Sequence, residues 1–209
     1  MAGPKHESRA SGTSLQAMAV NASASLRTRE ASLLERHRQG DALAFGELYQ
    51  EFEAMVYNLA LRMSGNPADA EDIAQETFIR AYRHLKKFKG KSSLKTWVFR
   101  IALNCSNTRL RRRARRLAHR VDDSEPELER AADAGRSPEE RALATDLSAA
   151  VRVGLDHLPV HYREAVLLRD FEELNYSEIA EVLGVRIGTV RSRIARGREQ
   201  LRQWLEANV

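Results

Sequence analysis

Apolar residues recur at helical spacing along most of the chain, and no stretch reads as a strand. Leu33 and Leu34 open the period after Ser32, and Gly40-Asp41 interrupts it. Asp41 is placed to cap a helix whose stripe is Leu43, Phe45, Leu48, Tyr49, Phe52, Met55, Val56, Leu59 and Ala60, ending near Met63. Ser64-Gly65-Asn66-Pro67 is a strong stop. A further helix over 68–85 buries Ile73, Thr77, Phe78, Ala81, Tyr82 and Leu85, and turns Asp69, Asp72, Gln75 and Glu76 to another side. After a basic loop from Lys86 to Ser93, another helix starts near Leu94, with Trp97, Val98, Ile101, Ala102 and Cys105 as its apolar positions.

The second half repeats the periodicity in shorter pieces. Leu147, Val151, Leu155 and Leu158 form a stripe that Pro159 stops, and Tyr162, Ala165, Val166 and Leu168 form the next. Tyr176 to Leu183 reads as a short helix, with Asn175 and Ser177 as N-cap candidates and Gly184 as its left-handed terminator. A last helix from about Ile187 carries Ile187, Val190, Ile194, Leu201 and Leu205 on one face and Arg191, Ser192 and Arg196 on the next. Small Ala180, the turn glycine and the basic second helix together make the pattern of a helix-turn-helix that enters a DNA major groove. A plain helical hairpin with a solvated arginine face is the other reading of this stretch.

Charge divides the chain into parts. Arg109, Arg111, Arg112, Arg113, Arg115, Arg116 and Arg120 repeat one sign along a helix, an arrangement that a neighbouring polyanion would relieve. Acidic residues then dominate from Asp122 to Glu140, around Pro126, Gly135 and Pro138 and with little apolar period. The expected fold is all-α: two small helical domains joined by a flexible linker, the second containing the helix-turn-helix. The boundaries are a disordered tail over 1–31, a first domain over 32–120, an acidic linker over 121–142 and a second domain over 143–209. The 209 residues suffice for two such cores, with 43% hydrophobic and few aromatic residues. A net charge of +5 suits a nucleic-acid partner. No apolar run approaches the roughly 18 residues that span a bilayer. The single Cys105 rules out an internal disulfide and a cysteine-built zinc site, reads as inert core, and fits a reducing cytosol. The six histidines are scattered without metal-ligand spacing, and there is no phosphate loop or paired-acid site, so neither a cofactor nor an enzymatic activity is expected.

Four segments resemble one family. Asp69-Ala-Glu-Asp-Ile-Ala-Gln-Glu-Thr-Phe-Ile-Arg-Ala-Tyr82 is similar to the region 2 helix of bacterial sigma factors, and Ser93-Leu-Lys-Thr-Trp-Val-Phe-Arg-Ile-Ala-Leu-Asn104 to the promoter-melting segment that follows it. Leu158 to Arg169 and Ile187 to Arg196 resemble region 4. With two domains and a short linker the chain resembles the extracytoplasmic-function (ECF) sigma factors over residues 32–205.

The resemblance implies a promoter-specificity subunit that binds RNA polymerase core through its β′ and β subunits, recognises −10 and −35 elements and initiates transcription. It places Asp72, Gln75 and Glu76 on the β′ clamp helices. It places Lys89, Lys91, Ser92, Ser93, Lys95 and Thr96 around a flipped −10 base, Trp97 near the point of strand separation, and Arg100 and Asn104 along the non-template strand. Arg191, Ser192 and Arg196 fall on the positions that read the −35 element. The chemistry suits these tasks: carboxylates pair with a partner's arginines, cations line single strands, and arginine binds guanine in bidentate fashion. Two positions depart from the family pattern: Ala195 stands where relatives often carry an aromatic, and Lys91 where an acid is common. An anti-sigma factor, often membrane-bound, is the implied regulator of an otherwise cytoplasmic protein. The alternatives are a stand-alone helix-turn-helix regulator and a sigma mimic that sequesters an anti-sigma factor.

Overall fold

The computed structural model describes residues 28–119 and 149–209, all of them in helices and the turns between helices. The tail before residue 28, the acidic segment, Arg120, Leu143 and Leu147 lie outside the described residues. Helix α1 spans 28–38, so it begins before Ser32, inside the stretch assigned to the tail. Helix α2 (Ala42–Ser64) is capped by Asp41, whose side chain accepts from the Leu43 amide, and ends at Gly65 in the left-handed conformation (φ 67°). Asn66 caps helix α3 (Pro67–Leu85) through the Asp69 amide, with Pro67 in its favoured first-turn position. Helix α4 (Leu94–His119) starts where the Ser93 hydroxyl accepts from the Thr96 amide (3.1 Å).

The first bundle closes over Leu48, Phe52, Val56, Leu59, Met63, Ile73, Phe78, Leu94, Val98 and Phe99, all buried. Four residues assigned to apolar stripes face outward, Leu43, Tyr49, Tyr82 and Ile187. Leu43 is 75% exposed, Tyr82 is 54% exposed and Ile187 is 41% exposed. Leu43 and Ile187 lie in the first turns of their helices, beyond the reach of the core. Tyr82 lies edge-on to Phe45 (5.0 Å) and His37 (5.6 Å), so it covers other rings without being covered itself.

The second bundle comprises α5 (149–157), α6 (Val160–Val166), α7 (Tyr176–Leu183) and α8 (Ile187–Asn208). Between α6 and α7, Leu167–Phe171 widens into a π-helical turn, followed by Glu173 at φ 58°. The helix-turn-helix forms as its sequence requires. Asn175 makes a full capping box with Glu178, and Gly184 (φ 65°) turns the chain into α8. Gly197 is where α8 meets α6: a Cβ there would lie 2.7 Å from Val166 Cγ2. Helix α4 packs on α7, and one apolar cluster runs through both bundles.

Candidate functional site

Three groups of residues emerge on separate helices. On α3, Asp72, Gln75 and Glu76 share one face through their i, i+3, i+4 spacing. Asp72 receives Arg109 of α4 (2.7 Å), and Glu76 receives Arg80 (2.6 Å). Arg109 also binds Asp69 (2.7 Å), which Arg113 approaches (3.5 Å). Part of the like-charge repulsion along α4 is thus relieved inside the molecule rather than by a polyanion. Asp72 and Glu76 remain about half exposed, so their lone pairs stay open to a second cation.

A feature the sequence did not announce adjoins this face. Helices α2 and α3 leave between them a groove of about 1070 Å³, floored by Tyr49, Phe78, Ile79 and Tyr82 and rimmed by Asp72 and Gln75. Tyr49, Ile79 and Tyr82 on its floor are exposed, whereas periodicity alone assigns Tyr49 and Tyr82 to the core.

On α4 and the loop before it, Lys89 and Lys91 are exposed, and Ser92 and Ser93 are half-buried. Thr96 is 1% exposed, and its hydroxyl pairs with that of Ser93 (2.8 Å), so it shapes the turn and faces inward. Trp97 is half-buried against the Phe88 ring (5.2 Å). Asn104 is exposed. Lys95 donates to the Glu172 carbonyl (3.0 Å) and Arg100 to the Glu181 carbonyl, both in the second bundle. The loop and the front of α4 therefore form one contiguous basic surface, but two of its cations already have partners.

On α8, Arg191, Ser192 and Arg196 are exposed on one side, while Val190 and Ile194 on the other are buried. The Arg191 guanidinium lies 5.9 Å from the Tyr176 ring centre, and Ser192 donates to the Thr189 carbonyl (2.9 Å). Two arginines project from a helix seated on a rigid hairpin, which is the geometry of major-groove readout.

Cys105 is buried, and burial pushes its thiol up, away from the reactive thiolate. Among the described residues, no three His, Cys, Asp or Glu side chains gather as metal ligands, and no helix is long and apolar enough to cross a membrane.

Comparison with known proteins places the chain in a family. The pattern of Sigma-70 region 2 matches residues 48–116, which hold α3 and most of α4, and that of Sigma-70 region 4 matches 148–201, which hold the helix-turn-helix. The chain belongs to the ECF sigma factors. It is 41% identical over 162 residues to the ECF RNA polymerase sigma factor SigE of Mycolicibacterium smegmatis, covering 78% of this chain and 62% of that protein's length. It is 38% identical to the RNA polymerase sigma-H factor of Pseudomonas aeruginosa (83% of this chain, 92% of that protein). It is 35% identical to SigW of Bacillus subtilis (82% and 94%). Among solved structures, CnrH in complex with the cytosolic domain of CnrY matches with a TM-score of 0.64 at 25% identity, over 87% of this chain and 99% of that one. The sigma factor RpoE of Bartonella quintana, in complex with the anti-sigma factor NepR, matches with a TM-score of 0.63 at 25% identity, over 79% and 98%.

Sigma factors bind RNA polymerase core and promoter DNA and act in transcription initiation without being enzymes. This sigma factor carries both regions needed for promoter recognition, in the family's order.

Proposed function

We propose that the three faces divide the work of promoter recognition. Asp72, Gln75 and Glu76 on α3 dock the polymerase β′ subunit, with the aromatic groove of Tyr49, Phe78 and Tyr82 receiving apolar side chains from the same partner helix. Lys89, Lys91, Ser92, Ser93, Lys95, Trp97, Arg100 and Asn104 handle the −10 element as single strands, with Thr96 holding the loop in shape. Arg191, Ser192 and Arg196 read the −35 element as duplex. The observation that carries this reading is the acidic face of α3 set beside the basic helix α4, the two joined by the Arg109 bridges to Asp69 and Asp72. One rigid unit thus presents a protein-binding side and a nucleic-acid-binding side. No step calls for hydrolysis or a covalent intermediate; the protein acts by binding alone. Polymerase and promoter both place it in the cytoplasm. An anti-sigma factor is its regulator in this reading, supported by the similar sigma factor RpoE of Bartonella quintana, which was solved in complex with the anti-sigma factor NepR.

Run-off transcription with core RNA polymerase on a fragmented genomic library tests the whole reading. New start sites with a common upstream spacing are expected, and folded protein that adds no transcript would overturn it. Glu76→Lys tests the docking face: it should lower co-purification with core polymerase while leaving the helical content unchanged. Undiminished co-purification would remove Glu76 from the interface.

A further inference from the structure

The face that α8 turns to solvent carries one large apolar side chain. Ile187, in the first turn, is 41% exposed, whereas Val190 and Ile194 on the underside are buried. Periodicity alone assigns Ile187 to that underside. The structure sets it on the outer face, and no other large apolar side chain within the helix is as open to solvent. Spacing decides its neighbours. Ile187, Arg191 and Ala195 recur every fourth residue and share a face, beside the row of Gly188, Ser192 and Arg196. All six are exposed.

The three residues assigned to the −35 element supply only hydrogen-bonding chemistry. Arg191 and Arg196 offer donors alone, and the Ser192 hydroxyl gives its proton to the Thr189 carbonyl (2.9 Å), which leaves its lone pairs as acceptors. Groups of these kinds answer to the polar edges of bases. The 5-methyl group that marks thymine in the major groove needs an apolar contact instead. Ala195 offers a single methyl group, where relatives often carry an aromatic. Ile187 offers a full aliphatic side chain. It stands at the N-terminal end of the second helix, the end that reaches base edges in a helix-turn-helix. Its branched side chain has few rotamers to lose, and Gly188 beside it has no side chain to hold a base pair away.

We propose that Ile187 is a further specificity-determining residue of this sigma factor, which packs on the 5-methyl group of a thymine in the −35 element. The inference rests on the assignment of α8 to that element. At about 1.5 Å per residue, Ile187 stands about 6 Å along the helix from Arg191, a distance of about two base pairs at about 3.4 Å each. The thymine therefore lies within about two base pairs of the pair that Arg191 contacts. Burying one methyl group is worth about fourfold in affinity, enough to prefer thymine at one position without dominating the arginine contacts.

The test uses holoenzyme assembled from core RNA polymerase and the full chain, on promoter duplexes whose −35 element has been defined by run-off mapping. Each thymine of the element, on either strand, is replaced in turn by 2′-deoxyuridine, which lacks only the 5-methyl group. One replacement, within about two base pairs of the pair whose readout Arg191→Ala relaxes, should weaken binding by about fourfold. Ile187→Ala should bind the thymine and deoxyuridine forms equally at that position, with helical content and thermal midpoint close to native. Ile187→Val, which keeps the branch, should retain part of the preference. A −35 element with no thymine there, a native protein indifferent to deoxyuridine, or an Ile187→Ala protein that still prefers thymine would overturn the role of Ile187. An element that Arg196→Ala still weakens while deoxyuridine has no effect would keep α8 on the −35 DNA and remove Ile187 alone from the contact. Holoenzyme that binds every duplex alike would overturn both the −35 assignment and the role of Ile187.

Discussion

Helices α4 and α8 offer DNA the same kind of chemistry, arginine and polar side chains above an apolar underside, yet they stand in different surroundings. Along α8, Arg191, Ser192 and Arg196 face solvent. Along α4, Lys95 and Arg100 already donate to carbonyls of the other bundle, and Thr96 is turned inward. In the proposed division of work a duplex reader must be open before its target arrives, and the basic face of α8 is exposed. A single-strand reader has no use for its cations until a strand has separated, and α4 holds two of them against protein acceptors. The basic residues are equally visible in both stretches of sequence; the packing in front of them sets their availability.

The comparison breaks most severely at the apolar undersides. Phe99 lies on the buried face of α4 with no exposure. Phe99→Ala should destabilise the chain by about 3–5 kcal/mol, read from the shift of the denaturant midpoint at constant m. A shift of less than about 1 kcal/mol would mean that α4 is not anchored as described. The matching change under α8 is Gly197→Ala, whose new Cβ would lie 2.7 Å from Val166 Cγ2 and 3.3 Å from the Tyr162 carbonyl. The backbone oxygen cannot retreat as a side chain can, so a loss of about 1–3 kcal/mol in the same assay is expected, and a stabilised protein would contradict the close contact.

The exposed faces separate by a binding measurement. Arg196→Ala should cost about 1–3 kcal/mol of affinity for −35 duplex over unrelated duplex, if its contact is to a base edge. An equal loss on every sequence would assign Arg196 to phosphate instead. The smallest expected effect sharpens the local half of the comparison. Asn175→Ala removes the acceptor for the Ser177 and Glu178 amides and should cost about 1 kcal/mol. Helix α4 is capped by Ser93 in a loop otherwise held by long-range contacts, so the corresponding Ser93→Ala is confounded where Asn175→Ala is clean.

Most of the candidate site was legible because its signals are local. The capping box at Asn175, Gly184 and the arginines of α8 lie within two dozen residues of one another, and the acidic face of α3 follows from helical spacing. Other placements were not legible for a definite reason. Periodicity tells which residues share a helical face, but it does not tell how far the core extends along that face. Leu43 and Ile187 overhang the ends of their cores, and Tyr82 lines a groove open to solvent. Arg163 and Glu172 carried no signal at all. Each is a charged residue within an ordinary helical or turn segment, and only the approach of α2 makes them buried partners.

The sequence by itself determined the helices, their caps and stops, the helix-turn-helix and the family, because each depends on residues a few positions apart or on motifs in a fixed order. Only the tertiary structure decided that Arg109 ties the acidic face of α3 to α4, that α2 and α3 leave an aromatic groove, and that the second bundle rests on Lys95 and Arg100. The polar links among them join residues 37 to 100 positions apart, such as Arg109 with Asp72 and Arg163 with Met63. At that separation no local propensity acts. The contact exists because desolvated cations and helix-end carbonyls need partners, and the packed bundles bring those partners within reach.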